Sequence, residues 1–178
     1  MGGGIIIDGK LFSGSNYAGG ELGHTVICVD GEPCTCGRKG CWEAYASATA
    51  LIRQTKAKMQ ENKDSVMWEL ANGNLDNVNG RIAFDGMRKG DKAAIEVVEQ
   101  YEKYVAVGLA NIINVFQPQK ICIGGGISNE KETLVNPIKE FVNKEIYTTM
   151  GKPCEILPAE LGNDAGIIGA ASLYKLYK

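Results

Sequence analysis

The chain has 178 residues, 44% of them hydrophobic and 22% charged, the composition of a globular domain with its own core rather than of a disordered segment. A formal net charge of −2, with lysines and arginines unclustered, gives no field for a polyanion and argues against a nucleic-acid partner. No apolar stretch approaches the ~20 residues that cross a bilayer, and no basic region with an apolar core opens the chain, which predicts a cytoplasmic protein with no membrane partner and six cysteines kept as thiols or metal ligands.

Residues 1–12, MGGGIIIDGKLF, place two short strands, 5–7 and 10–12, around Asp8-Gly9, a dipeptide suited to positive φ at both central positions of a tight hairpin. Residues 25–29 read as a further strand, followed by a compact loop rich in cysteine and glycine from 30 to 41. Residues 43–59 carry helix formers without a breaker, 64–71 form a short helix, and 79–89 form another with Gly90 as its stop. From Asp91 as N-cap, the apolar positions Ala94, Val97, Val98, Tyr101, Val105, Leu109, Ile112, Ile113 and Phe116 keep a helical period up to Pro118 and predict one long buried helix. Then come a strand at 121–123, the turn Gly124-Gly125-Gly126, a Glu/Lys-rich helix over 131–143, a strand over 154–157 and a closing helix over 163–174. The order predicts a single α/β domain over residues 1–178, with a mixed sheet, no internal repeat and no linker. Cys28, Cys122 and Cys154 sit in apolar strand-like stretches and are expected to be small core residues.

The loop holds the most specific signal. Cys34, Cys36 and Cys41 lie within eight residues, Gly37 and Gly40 supply the bends, and His24, the one histidine of the chain, stands ten residues before the first cysteine. Three thiolates and an imidazole make a complete tetrahedral zinc set, and a set with no open position is structural rather than hydrolytic. The alternative is three reduced cysteines in a turn and an unrelated histidine, but soft ligands crowded on a glycine-bent loop have no packing rationale. Glu21 and Glu43 flank the loop, so folding it around one metal brings both carboxylates near the imidazole; if the second imidazole nitrogen faces a cleft instead of a protein carboxylate, it can hydrogen-bond a ligand hydroxyl and the two glutamates can take neighbouring hydroxyls of a polyol. The plainer reading makes Glu43 a first-turn helix residue favoured by the dipole and Glu21 a solvated one.

Glu21-Leu22-Gly23-His24, then Cys34-x-Cys36-Gly-x-x-Gly-Cys41-x-Glu43 followed by Ala44-Tyr45-Ala46-Ser47, closely resembles the signature of the ROK family of sugar kinases and sugar-responsive repressors, particularly its bacterial glucokinases. The likeness runs along nearly the whole chain: residues 3–9 resemble the end of the family's second phosphate loop and its hairpin, 121–128 its strand and glycine turn against the adenosine, and 162–171 its closing helix.

The resemblance implies that His24, Cys34, Cys36 and Cys41 bind a structural zinc ion and that Glu21, His24 and Glu43 hold sugar hydroxyls. It further implies that Gly3, Gly4, Gly124, Gly125 and Gly126 approach the nucleotide. The implied fold is one lobe of an actin-like (ribonuclease H-like) ATPase, with mixed sheet, packed helices and an inserted zinc loop. The whole protein would phosphorylate a hexose, glucose by default, with ATP and Mg²⁺, as a homodimer. The base and the first phosphate loop would lie upstream of Met1, leaving no catalytic residue in this chain and negligible turnover by the isolated fragment. Asp164, in Asn163-Asp164-Ala165, reads as a helix cap and not as a replacement base. The closing helix, with Ile167, Ile168, Ala171 and Leu173, would lie near the absent lobe and leave an apolar surface bare. Two rival readings stand: a sugar-sensing repressor of the same family, and a zinc-stabilised interaction module whose contacts come from Arg38 and Lys39 at the loop tip.

Overall fold

The computed structural model describes residues 1–147, 153–162 and 164–173. The chain divides into two compact units, Met1–Gly108 and Leu109–Lys178.

In the first unit, β1 (Ile6–Ile7) and β2 (Lys10–Leu11) form the expected antiparallel hairpin, with Asp8 at φ 51° and Gly9 at φ 73° in its turn. A 3-10 turn over Leu22–His24 follows. Residues 25–29 are not a strand. Val26 makes one isolated bridge to Cys41, and the N–H groups of Ile27 and Cys28 both donate to the carbonyl of Gly40, at 2.9 and 3.3 Å. Their partner is the returning arm of their own loop, and Asp30, at φ 56°, turns the chain before a ladder can grow.

The helix expected over 43–59 is broken once. Ser47 is extended at the end of α1 (Glu43–Ala46) and caps α2 (Ala48–Glu61), its Oγ accepting the Ala50 N–H at 3.1 Å, so one residue is both stop and start. α3 (Met67–Leu70) and α4 (Ile82–Arg88) are shorter than the segments that predicted them. α5 (Lys92–Phe116) is the long helix, and Asp91 caps it as expected. Its Oδ1 accepts the Ala94 N–H and its Oδ2 accepts the Val66 N–H, both at 2.8 Å, which also fixes the start of α3. Of the predicted stripe, Ala94, Val97, Val98, Tyr101, Val105, Leu109 and Ile113 are buried, but Ile112 is half-buried and Phe116, in the last turn, is 41% exposed, so the burial does not reach the end of the helix. Leu51 and Met59 on α2, Met67 on α3 and Phe84 on α4 are buried too. A Lys58–Glu96 ion pair joins α2 to α5.

Glu102 lies on the same helix with 3% of its surface exposed. Burial, with the Glu99 charge adding to it, pushes its carboxyl from 4.5 up to about 8. The folded carboxyl keeps a proton that the unfolded chain releases near pH 4.5, so the stability Glu102 allows is full below that pH and is lost as pH rises to 8. Glu102→Gln is expected to remove a slope of ~1.4 kcal/mol per pH unit over that window, read as urea stability against pH. Parallel profiles for the two proteins would exclude Glu102 as its source.

In the second unit, β3 (Lys120–Ile123) and β4 (Glu155–Pro158) pair in parallel, Lys120 opposite Glu155 and Ile123 opposite Pro158. α6 (Glu132–Glu145) connects them and buries Leu134, Val135, Ile138 and Val142, packing on β4 beside Ile156. α7 (Asp164–Ser172) buries none of its described residues, with Ile167 72% and Ile168 45% exposed. Asp164 lies in its first turn, and residues 163 and 174 of the expected helix fall outside the described residues.

Two expectations are corrected here. Instead of one mixed sheet, the described strands form an antiparallel pair and a parallel pair in separate sheets, and the segment expected to add a strand, 25–29, gives the N–H groups of Ile27 and Cys28 to the loop carbonyl of Gly40. Cys28 and Cys122 are exposed and Cys154 is half-buried, not core residues. Cys28 belongs to the loop rather than to a ladder, and among the described residues β3 and β4 have only each other as sheet neighbours, which leaves their outer edges uncovered. No described helix is long and apolar enough to cross a membrane.

Candidate functional site

The loop after the 3-10 turn folds by its own hydrogen bonds. Cys34 N–H donates to Arg38 O at 2.8 Å, Gly37 N–H to Cys34 O at 3.0 Å and Gly40 N–H to Glu32 O at 2.8 Å. Bridges join Pro33 to Lys39 and Val26 to Cys41. Gly40 sits at φ 76°, and a Cβ there would lie 1.7 Å from Cys28 O, so the crossing of the two arms requires glycine.

That folding gathers four of the predicted residues. One donor atom from each of His24, Cys34, Cys36 and Cys41 lies within 4.8 Å of the other three. Cys36 Sγ stands 3.6 Å from Cys41 Sγ, and Cys34 Sγ stands 3.6 Å from His24 Nδ1. A tetrahedral ion with ~2.3 Å bonds to sulfur and ~2.05 Å bonds to nitrogen would hold such pairs ~3.6–3.8 Å apart. The residues present therefore fit a four-coordinate metal. The spacing is also far beyond the ~2.05 Å of a disulfide.

Electrostatics inside the cluster is uneven. The backbone N–H and guanidinium of Arg38 lower the Cys36 thiol to about 6, whereas burial pushes the Cys41 thiol up to about 11. Arg38 also donates to His24 O at 2.5 Å. It turns back onto the loop instead of projecting from its tip.

The two carboxylates take different places. Glu21 Oε2 lies 4.0 Å from His24 Nε2, so the two imidazole nitrogens face different groups, Nδ1 the thiols and Nε2 a carboxylate. Glu43 opens α1, where Oε1 accepts from Thr35 Oγ1 at 3.3 Å and from the Cys34 thiol at 3.9 Å, and Oε2 takes the Met1 amine. The glycines expected at a nucleotide lie apart from this cluster in sequence. Gly3 lies against Gly20 O and Leu22, Gly4 is exposed in open space, and Gly124, Gly125 and Gly126 are exposed in the turn that follows β3 in the second unit.

Sequence reading missed what anchors the loop. Tyr45 Oη accepts the Glu32 N–H at 2.7 Å, and Arg53 reaches back to Glu32 at 3.5 Å and donates to Ala44 O at 2.9 Å. Trp42 donates to Tyr104 O on α5 at 2.7 Å, and Tyr101 on the same helix donates to Ala46 O at 3.1 Å. The available signal was Tyr101, Tyr104 and Gly108 at helical spacing within an otherwise aliphatic stripe.

The ROK family model matches residues 1–176 of this chain. A glucokinase of Thermotoga maritima is 37% identical over 98% of the chain and 55% of its own length. A xylose repressor of Bacillus spizizenii is 33% identical over 96% of the chain and 40% of its own length. Among solved structures, a ROK family glucokinase from Streptomyces griseus, crystallised with glucose and AMPPNP, superposes with a TM-score of 0.89 at 34% identity, over 97% of this chain and 56% of that one. The chain spans about half the length of the glucokinases it matches.

Proposed function

Since the chain belongs to the ROK family, we propose that it is the C-terminal lobe of a sugar kinase, contributing a zinc-organised hexose half-site and the adenosine-side turn to an ATP-dependent, Mg²⁺-assisted phosphorylation of a hexose, glucose first among those to test. The observation that carries the reading is the gathering of Glu21, His24 and Glu43 at the thiol cluster, with His24 Nδ1 3.6 Å and Glu43 Oε1 3.9 Å from Cys34 Sγ, while the 4.0 Å from His24 Nε2 to Glu21 Oε2 is too long to commit that nitrogen to the carboxylate. A zinc ion bound to His24, Cys34, Cys36 and Cys41 would supply cross-linking and tautomer control, and no reaction step. With Nδ1 engaged by the metal, the ring N–H of His24 sits on Nε2 and donates a hydrogen bond to a sugar hydroxyl. Glu21 and Glu43 accept from neighbouring hydroxyls.

Gly3, Gly4 and Gly124, Gly125 and Gly126 bring bare backbone toward the nucleotide, and the base that takes the sugar proton comes from outside residues 1–178. The whole protein works as a homodimer. The similarity to a glucokinase crystallised with glucose and AMPPNP supports this assignment. The similarity to xylose repressors over 96% of the chain supports a second reading, a sugar-sensing regulator using the same half-site.

The test is ligand-observed NMR of the zinc-loaded chain against a panel of hexoses. Saturation transfer to one hexose is expected. Zinc bound at one equivalent with no hexose response would overturn the half-site. In the whole protein, transfer of phosphate from ATP separates kinase from regulator.

A further inference from the structure

One face of α5 meets the segment that carries the site. Tyr101, Tyr104 and Gly108 are spaced by three and four residues, which stacks them along one side of the helix. Tyr101 Oη donates to Ala46 O at 3.1 Å, and the Tyr104 ring stands 4.8 Å from the Tyr45 ring, tilted by 47°. At Gly108 the Trp42 indole lies on the bare helix backbone. A Cβ there would come within 2.0 Å of Trp42 Cε2, 2.3 Å of Cδ2 and 2.4 Å of Nε1. The indole N–H donates to Tyr104 O at 2.7 Å, the carbonyl that the Gly108 N–H faces in a regular α-helix. Trp42 is 6% exposed and stands directly between Cys41, a candidate metal donor, and Glu43, a candidate hydroxyl acceptor.

We infer that Gly108 and Trp42 form a notch and key that set the register of the site: the indole seated in the notch is a positioning device that fixes Cys41 on one side and Glu43 on the other. The inference rests on the metal reading of the cluster. Three features favour this role over simple core packing. The indole has a hydrogen bond as well as an apolar seat, so both its depth and its rotation are fixed. Its two chain neighbours are site residues, so any displacement of the ring moves them. Glycine is a poor residue for the interior of a helix, and its place in α5 is explained by the ring it admits.

The test is cobalt(II) titration of this chain, with the visible spectrum of the bound ion reporting ligand geometry. Gly108→Ala is expected to weaken cobalt binding by about 10- to 100-fold, as loss of groups that orient metal ligands commonly does, and to alter the d–d bands, while helical circular dichroism is retained or gains. Trp42→Leu combined with Gly108→Ala makes room for the added methyl and is expected to bind more tightly than Gly108→Ala alone. Unchanged cobalt affinity and spectrum in Gly108→Ala, or a double variant that is worse by the sum of its parts, would overturn the notch while leaving the metal site intact. Should Gly108→Ala fail to fold, Trp42→Phe keeps the aromatic body without the N–H, and an unaltered spectrum there overturns the inference. A wild-type chain that binds no cobalt sinks the metal reading itself, and the notch with it.

Discussion

Replacing Cys41 by serine is expected to abolish high-affinity metal binding and to loosen the loop from 25 to 41. Cys41 is fully buried, its sulfur sits 3.6 Å from that of Cys36, and its backbone bridges Val26. Little apolar burial holds the loop. Val26 and Val29 are 45% and 83% exposed, Cys28 and Cys36 are exposed, and beyond its turn hydrogen bonds the loop is tied by Arg38 to His24 O, by Glu32 N–H to Tyr45 Oη and by Arg53 to Glu32. Ordering such a segment costs ~1–2 kcal/mol per residue in backbone entropy, which a handful of turn hydrogen bonds at ~1 kcal/mol each does not offset. In the proposed zinc site, the bound ion supplies the difference. Structural zinc contributes ~10–16 kcal/mol in small zinc-dependent folds, so losing one of four donors costs on the order of 3–4 kcal/mol, a fall in affinity of several hundredfold or more. Serine does not restore it, because its oxygen is a harder ligand on a shorter bond. Competition for zinc with a chromophoric chelator gives the affinity, and limited proteolysis between residues 30 and 40 gives the loop. A serine variant that holds zinc as tightly as the wild type would remove Cys41 from the ligand set.

The same loop shows where sequence reading succeeds and where it stops. The donor set was legible because metal chemistry restricts residue type and spacing: His24, Cys34, Cys36 and Cys41 come together in space as their order along the chain proposed. α5 was legible because a cap and a 3.6-residue period are local signals, and Asp91 does accept from Ala94. The hairpin was legible because Asp8-Gly9 accepts positive φ at two successive positions. Residues 25–29 misled because Val-Ile-Cys-Val has a strand's composition, yet a strand is defined by its partner, and here the partner is the returning arm of its own loop, met at one bridge to Cys41 and at the carbonyl of Gly40. Ser47 was passed over inside a run of helix formers since nothing in the local sequence tells an interior serine from an N-cap. The seat of Trp42 on Gly108 joins residues 66 positions apart, and no local rule reaches that far.

Glu43→Ala in the zinc-loaded chain is expected to lower hexose affinity by about 10- to 100-fold while zinc stoichiometry stays at one. The two outcomes separate because Glu43 is outside the four-donor set, although Oε1 lies 3.9 Å from the Cys34 sulfur. A hydrogen bond to an ionised carboxylate is worth ~1.5–3 kcal/mol, which sets the range. Removing the carboxylate also removes an acid from the first turn of α1, at ~0.3–1 kcal/mol, so thermal stability has to be measured beside affinity. Glu43→Gln is the sharper control. It keeps the shape and one acceptor oxygen, and it supplies a donor where the carboxylate could only accept, so a hydroxyl whose hydrogen pointed at Oε2 has to reorient or lose its bond. If Glu43 selects among epimers, the glutamine variant should compress the ranking of hexoses more than it lowers the best affinity, since discrimination arises from polar groups left unpaired by the wrong isomer. An alanine variant that binds the same hexoses with unchanged affinities would instead make Glu43 a helix-start residue. His24 and Glu21 would then be left as the groups that face the sugar.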